Sequence, residues 1–438
     1  MRKILIFLGL CLLLTSSPRA ENLIDVYKLA LENDPTFAAA KQEFLATQEI
    51  RNQRFALFLP ALNISASYTE LRQQYTFTGI PRDDKYTTQN YGLNLKQALY
   101  RHDYFVQYRQ ANYQVAQASA NLNSAAQELI LRVSQSYFEV LGAIDNLDFA
   151  RAEKKSIAEQ LNQTKQRFEV GLTAITDVHE AQSRYDQSVA QNIAAENLLA
   201  ISRENLREVT GQYPQAIARL SAKTPLLRPE PEDIEQWTEI ASKQSLSLIA
   251  AEKAMQIARE EINRQQAGHY PTLDLVASRS ESITLGGAFV EFTGEKQTDT
   301  RIGLQFNLPL YEGGLVSSKI SQAAYQYNQA KKLYERQRRA TENQTRSAYL
   351  NVLANISQVL AYEQALKSSH TALEATEAGY EVGTRTAVDV LNSRREVFRA
   401  ERDYAKSRYA YILETLALRQ AAGTLSDEAL QVINRWLQ

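Results

Sequence analysis

Cysteine is nearly absent. The chain has one, Cys11, among 438 residues, and it lies inside an apolar run near the start. Beyond that run no disulfide can form, so packing alone must stabilise the fold. Proline is missing from two long stretches, between Arg82 and Tyr213 and everywhere after Pro309. Nothing in those stretches forbids helices of unusual length. After residue 20 no apolar run is long enough to cross a bilayer as a helix. A membrane-resident form would have to cross as a β-barrel. A charge excess is lacking too: 49 Lys and Arg face 50 Asp and Glu, a net charge of -1. This excludes a nucleic-acid binder that relies on phosphate neutralisation, and a polybasic membrane-surface protein. The four histidines, His102, His179, His269 and His370, are scattered without metal spacing. No serine nucleophile elbow or phosphate-binding glycine loop is present. The expectation is no enzyme, no catalytic residue, no metal and no cofactor.

The first 20 residues read as a signal peptide. Arg2 and Lys3 precede the apolar core Ile4 to Leu14, and "TSSPRA" ends on the small residue Ala20. The mature chain leaves the cytoplasm. Among its aromatics, 23 Tyr outnumber 14 Phe and 2 Trp. Tyrosine suits surfaces with one wet end and one apolar end.

The mature chain is written twice. Pro60 in "LPALNIS" returns as Pro271 in "YPTLDLV", and Tyr100 as Tyr311, both offset by 211. Gly171 returns as Gly383, Asp177 as Asp389 and Gly211 as Gly423, offset by 212. The expected organisation is a signal peptide at 1–20 and a first repeat at 21–214. A linker with a short helix follows at 215–245, then a second repeat at 246–425 and a short C-terminal helix at 426–438.

Each copy has one plan. A helical segment comes first, Pro35 to Leu57 or Leu246 to Ala267. Two alternating stretches follow, "ALNISASYT" and "NYGLNLKQA", then "TLDLVASRS" and "TRIGLQFNL". Leu62, Ile64, Ala66 and Tyr68 alternate with Asn63, Ser65, Ser67 and Thr69. Ile302, Leu304, Phe306 and Leu308 alternate likewise with polar residues. Period two predicts strands with one apolar and one wet face. The polar connections "TGIPRDDK" and "LGGAFVEFTGEK" read as hairpin loops. A very long helix follows each pair, running from His102 to Phe168 in the first copy, about 100 Å at 1.5 Å per residue.

A shorter helix then returns with a seven-residue repeat. Val178, Tyr185, Asn192, Leu199 and Leu206 form one seam; Ala181, Ser188, Ala195, Ser202 and Val209 form its small-residue neighbour. The second copy repeats this with Val390, Val397, Tyr404, Tyr411 and Leu418. Two weak seams mean contact on two sides, which suits helices set side by side around a cylinder. The alternative is a periplasmic structural or adaptor coiled coil without a pore. Four strands cannot close a pore-sized barrel, and open edges are a liability that oligomers remove. Eight, twelve or sixteen strands all satisfy the periodicity.

The ordered set "LPALNIS", "YPTLDLV", "LPLYEGG", "VGLTAITDV" and "VGTRTAVDV" resembles the TolC-like outer-membrane efflux proteins over essentially the whole mature chain. The resemblance implies a mixed, mostly helical fold. A homotrimer would carry a twelve-stranded outer-membrane barrel continuous with a twelve-helix periplasmic tunnel. It implies an exit duct of a tripartite efflux or type I secretion system in the outer membrane of a Gram-negative bacterium. The expected partners are outer-membrane lipid, a periplasmic adaptor and, through it, an inner-membrane transporter.

The resemblance also assigns residues. The twin stretches become helix-to-helix turns, with Gly171 and Gly383 reversing the chain. Val170, Gly171 and Leu172, with Val382, Gly383, Thr384 and Arg385, become adaptor-docking tips. Asp389 would face the narrowest part of the bore as a symmetric carboxylate ring. Asn392 stands where family members often carry a second Asp, so weaker cation block is expected. Gln160, Thr176, Asp177, Tyr380 and Arg385 match a closed-state clasp, with Arg385 bonded to Asp177. His179 could sense pH near the turn or be simply an exposed helix residue.

Overall fold

The computed structural model describes residues 21–214, 216–221, 224–286 and 295–437. The signal-peptide reading lies outside the described residues, as does most of the second hairpin connection. The chain forms two compact units, and each draws on both copies. One holds residues 41–122 and 246–339. The other holds the residues up to 40, 123–245 and 340–438.

The first unit is built on four antiparallel strands. They are β1 (Ala61–Phe77), β2 (Ile80–Arg101), β3 (Thr272–Leu285) and β4 (Glu295–Asn307), in the spatial order β1-β2-β3-β4. Both hairpins have the same register. Ala61 pairs with Lys96, and 211 residues later Thr272 pairs with Asn307. The row Leu62–Leu95–Ala277–Ile302 therefore lies on one face of the sheet, and Asn63–Asn94–Ser278–Arg301 on the other. The apolar face is bare: Ile64 is 83% exposed and Ile302 77%. That is the inverse of a water-soluble sheet, whose apolar side faces a core. Both outer edges, on β1 and β4, are unpaired in the single chain.

The first connection corrects the sequence reading. "TGIPRDDK" is not a loop: only Thr78 and Gly79 turn, both with positive φ (49° and 83°). Two such residues make the tight turn whose twist matches a hairpin. Beyond it Arg72 and Asp83 pair across the strands. The positions that continue the apolar row Leu62 to Tyr68 are Glu70, Arg72, Gln74 and Thr76, so the alternation breaks off there.

The seam between the copies, β2 to β3, has a feature the pattern did not suggest. A bulge at Leu99 shifts the register between Ala98 and Tyr100. Beside it Asp274, 3% exposed, accepts from Arg101 Nε at 2.9 Å and Nη2 at 2.6 Å. Lys96 Nζ lies 3.3 Å from the same carboxylate. Two cations compensate one buried anion, which would be costly alone. This unit holds most of α2 (Pro35–Ala56), and helix α6 (Leu246–Gln266) meets α3 (His102–Glu169) through Arg109–Glu260 at 3.1 Å and Gln110–Glu261 at 3.2 Å.

The second unit is helical. It contains α1 (Leu23–Asn33), α4 (Ile175–Thr210), α5 (Ile234–Gln244), α8 (Ala387–Ala421), α9 (Asp427–Asn434) and most of α3 and α7 (Leu315–Glu381). Helix α3 has 68 residues and α7 has 67. Gly142 does not break α3; a Cβ there would rest 3.8 Å from the Tyr409 ring of α8. The small-residue seam of α4 is its buried side, with Ala181, Ser188, Ala195, Ser202 and Val209 inside. On α8 the larger residues Val390, Val397, Tyr411 and Leu418 are buried together with Ser407 and Ala421 of the small-residue seam. One core joins Leu23 and Val26 of α1, Val133 and Tyr137 of α3, Ile412 and Leu416 of α8, and Leu430 of α9. Buried hydroxyls are satisfied: Tyr137 donates to Ala218 O at 2.8 Å and Tyr409 to Asp145 at 2.6 Å. No helix among the described residues is long and apolar enough to cross a membrane.

Candidate functional site

The twin stretches fold as twin turns, and their hydrogen bonds superimpose. In the first, Leu172 N donates to Arg167 O at 2.8 Å and Gly171 N to Phe168 O at 2.9 Å. In the second, Thr384 N donates to Gly379 O at 2.8 Å and Gly383 N to Tyr380 O at 3.1 Å. Every participant is displaced by 212. This pairing closes a helix through a left-handed residue, and Gly171 and Gly383 have φ of 75° and 81°. Nothing lies within 4 Å of a Cβ placed on either glycine, so the requirement is conformational, not steric. Val170 and Leu172 are each 69% exposed and Val382 is 75% exposed. Thr384 and Arg385 are exposed as well. Exposed aliphatic side chains at the two chain reversals are unpartnered apolar surface.

The helix starts after the turns differ. Thr386 caps α8: its Oγ1 accepts from Asp389 N at 3.2 Å, and the Asp389 carboxylate accepts from Thr386 N at 2.9 Å. These bonds, with Arg385 nearby, hold the Asp389 carboxyl below the usual carboxylate range. The matching position before α4 is Ala174, which has no side-chain cap, and Asp177 takes its hydrogen bond from the Thr173 hydroxyl. Asp389 is partly exposed. Asn392, one turn on, lines a cavity of about 30 Å³ with Glu153, Arg184 and Arg395.

The five clasp residues are only partly brought together. Tyr380 is engaged, but by Arg167, whose guanidinium lies 4.9 Å from its ring centre and donates to its hydroxyl. Sequence reasoning missed Arg167; its counterpart by the 212 offset is Gly379, so no repeat signal marked it. Among the described residues no hydrogen bond or ion pair joins Arg385 to Asp177, whose carboxylate accepts from Thr173. Thr176 is exposed, while Gln160 is 4% exposed and its Nε2 has no partner in the chain. His179 is exposed. Above the turns the α8 arginines reach α3: Arg394 donates to Ser156 Oγ at 2.8 Å, and Arg402 lies 3.6 Å from Glu153. Among the described residues no group of His, Cys, Asp and Glu could hold a metal ion.

The model of the family described as outer membrane efflux protein matches residues 26–212 and again 237–424, one match on each copy. The chain is 40% identical over 426 residues to the outer membrane protein TolC of Vibrio cholerae, covering 97% of this chain and 96% of that protein. It is 30% identical over 445 residues to the alkaline protease secretion protein AprF of Pseudomonas aeruginosa, covering 99% and 91%. The solved structure of the outer membrane protein VceC from Vibrio cholerae has a similar fold, with a TM-score of 0.76 and 19% identity over 92% of this chain and 96% of that one. With both of its copies matched, the chain belongs to the outer membrane efflux protein family and resides in the outer membrane.

Proposed function

We propose that three copies of this chain form an exit duct that carries cargo across the periplasm and outer membrane. The sheets join into a twelve-stranded barrel, and the long helices form a tunnel of twelve. One observation carries this reading: the sheet has an exposed apolar face, a polar face and two open edges. Lipid covers the first, water the second, and neighbouring copies the third. The similarity to a protease secretion protein supports protein cargo alongside small molecules. The inner-membrane transporter chooses the cargo, and a periplasmic adaptor links the two.

The turns at Val170–Leu172 and Val382–Arg385 dock the adaptor with their exposed aliphatic side chains. Asp389 lines the constriction as a ring of three carboxylates. Mutual repulsion raises their protonation range, while the Thr386 cap opposes that rise and keeps the ring charged at neutral pH. The clasp holds the closed state through Tyr380 and, between copies, through Arg385 and Asp177. Fractionation of cells, followed by mass measurement of the detergent-extracted protein, tests the assembly. The expected result is an outer-membrane protein of three-chain mass. A soluble single chain would contradict it and favour the pore-free coiled coil.

A further inference from the structure

The apolar face of the sheet changes character along the strands, at one end only. On β1 the row Leu62 to Tyr68 continues as Glu70 and Arg72. On β2 the row Leu95, Leu93 and Tyr91 leads towards the same end, to Lys85 and Asp83. On β3 Leu273, Leu275 and Ala277 are followed by Arg279 and Glu281, and on β4 Ile302 leads to Lys296. The register keeps these charges on the apolar face: Arg72 pairs with Lys85, Leu93 with Arg279, Tyr91 with Glu281 and Ile283 with Lys296. At the other end, where β2 runs into α3, the same face carries Gln97, Tyr100, Leu273 and Phe306 and no charge.

This charged band is written into both copies. Glu70 returns as Glu281 and Lys85 as Lys296, each at the 211 offset of the hairpins. Lys296 Nζ lies 2.8 Å from Glu281, and Arg72 Nε donates to Asp83 at 2.9 Å. The side chains of Lys296 and Arg72 nevertheless stay 60% and 58% exposed, and ion pairs so exposed hold their partners weakly. Arg279 and Lys85 are exposed too, and among the described residues neither has an ion-pair partner. Arg279 directly follows the apolar row of β3, so its guanidinium stands at the border of the bare apolar surface.

The assembly reading above turns the helices to the periplasm and this end of the sheet to the cell surface. Resting on it, we propose that the band binds a multiply phosphorylated glycolipid of the outer leaflet, with Arg279 and Lys296 taking phosphates on the second hairpin and Lys85 on the first. Acyl chains cover the apolar rows, and the headgroup phosphates then stand where the cations begin. A cation at such a surface attracts anionic lipid, and an arginine or lysine donates charge-assisted hydrogen bonds to phosphate oxygens. Continuity of cation and apolar surface suits a ligand that has both parts, which a free phosphate lacks. Arg279 and Lys296 lie four residues and one strand apart, roughly 14 Å. Two cations so separated suit a headgroup with two phosphates better than a phospholipid with one.

The mature protein, extracted in detergent, is mixed with bisphosphoryl lipid A, monophosphoryl lipid A or phosphatidylglycerol. Native mass spectrometry reads the bound lipid and weighs the assembly at once. The expected result is a particle of three-chain mass that retains the bisphosphoryl form roughly fivefold better than the monophosphoryl form, the attraction of about one cation. The variant Arg279→Gln with Lys85→Gln and Lys296→Gln should lose that preference. The variant Glu70→Gln with Glu281→Gln removes anions from the same band and should strengthen it, so a fold defect in one variant leaves the other as a test. Equal retention of the three lipids overturns the proposal, as does a preference that neither variant alters. Displacement by an equimolar amount of inorganic phosphate overturns it in favour of a free anion. A three-chain particle without the preference leaves the duct reading standing; a single chain by mass overturns that reading and this one with it.

Discussion

At the scale of single residues, the twin turns show how one side chain distinguishes two copies. Thr386 and Asp389 satisfy each other's backbone donors at the start of α8, whereas Ala174 leaves α4 without a side-chain cap. Thr386→Ala should lower stability by about 1 kcal/mol, the usual cost of losing an N-cap hydroxyl. Ala174→Thr should recover a similar amount in the other turn. Thermal unfolding of the two variants and their combination checks both signs. Asp389 adds a pH dependence. Its folded-state affinity for protons is depressed, so its capping contribution is present above the ordinary carboxylate range and is lost as pH falls through the depressed value. Neutral and mildly acidic solutions should therefore leave the cap intact. The glycines and aspartates were legible because a repeated turn repeats its letters. Arg167 was not, because it acts on Tyr380 from 213 positions away and its counterpart is Gly379.

At the scale of elements, periodicity revealed most of what the structure contains. Period two located all four strands, and the proline-free run located α3 to within a residue and announced a long counterpart, α7, in the second copy. It failed towards Thr78, where the row that is apolar at Leu62 to Tyr68 continues as Glu70, Arg72, Gln74 and Thr76 and the pattern breaks off. It also missed Asp274 with Arg101, since ion pairs between distant segments leave no local pattern. The contact of α3 with α8 offers a further test. Glu153 is 3% exposed, one carboxylate oxygen has no hydrogen bond, and Arg402 stands 3.6 Å away. Burial pushes the Glu153 carboxyl up, and Arg402 and Arg395 pull it back only in part. Because the folded-state value is raised, this contribution is present at low pH and is lost as pH rises through that value. Arg402→Met should cost about 2 kcal/mol at neutral pH, by leaving a buried carboxylate without its cation. That cost should shrink on acidification. Glu153→Gln should change neutral stability by less than about 1 kcal/mol, because it removes the buried charge and keeps the shape. Chemical denaturation of both variants at neutral and mildly acidic pH reads these differences. Equal losses in the two variants would mean that the pair acts by packing, not by charge.

At the scale of the whole molecule, duplication explains why a single chain is unfinished. Each copy supplies a hairpin with one bare apolar face and a long helix with its returning partner. Two copies leave the sheet open at both edges. Alternation and open edges were visible in the sequence, but the number of chains was not, because eight, twelve or sixteen strands satisfy the same period. The family match covers both copies and sets the chain among the outer membrane efflux proteins. The docking, constriction and clasp roles proposed for these residues require several copies around an axis, so each of them depends on a water-filled interior. Single-channel recording of the purified mature protein in planar lipid bilayers reaches that point directly. Discrete, cation-favouring conductance steps are expected, larger in the combined variant Tyr380→Phe with Arg385→Glu than in the wild type. A bilayer that stays silent with both proteins, although they have inserted, would contradict the account.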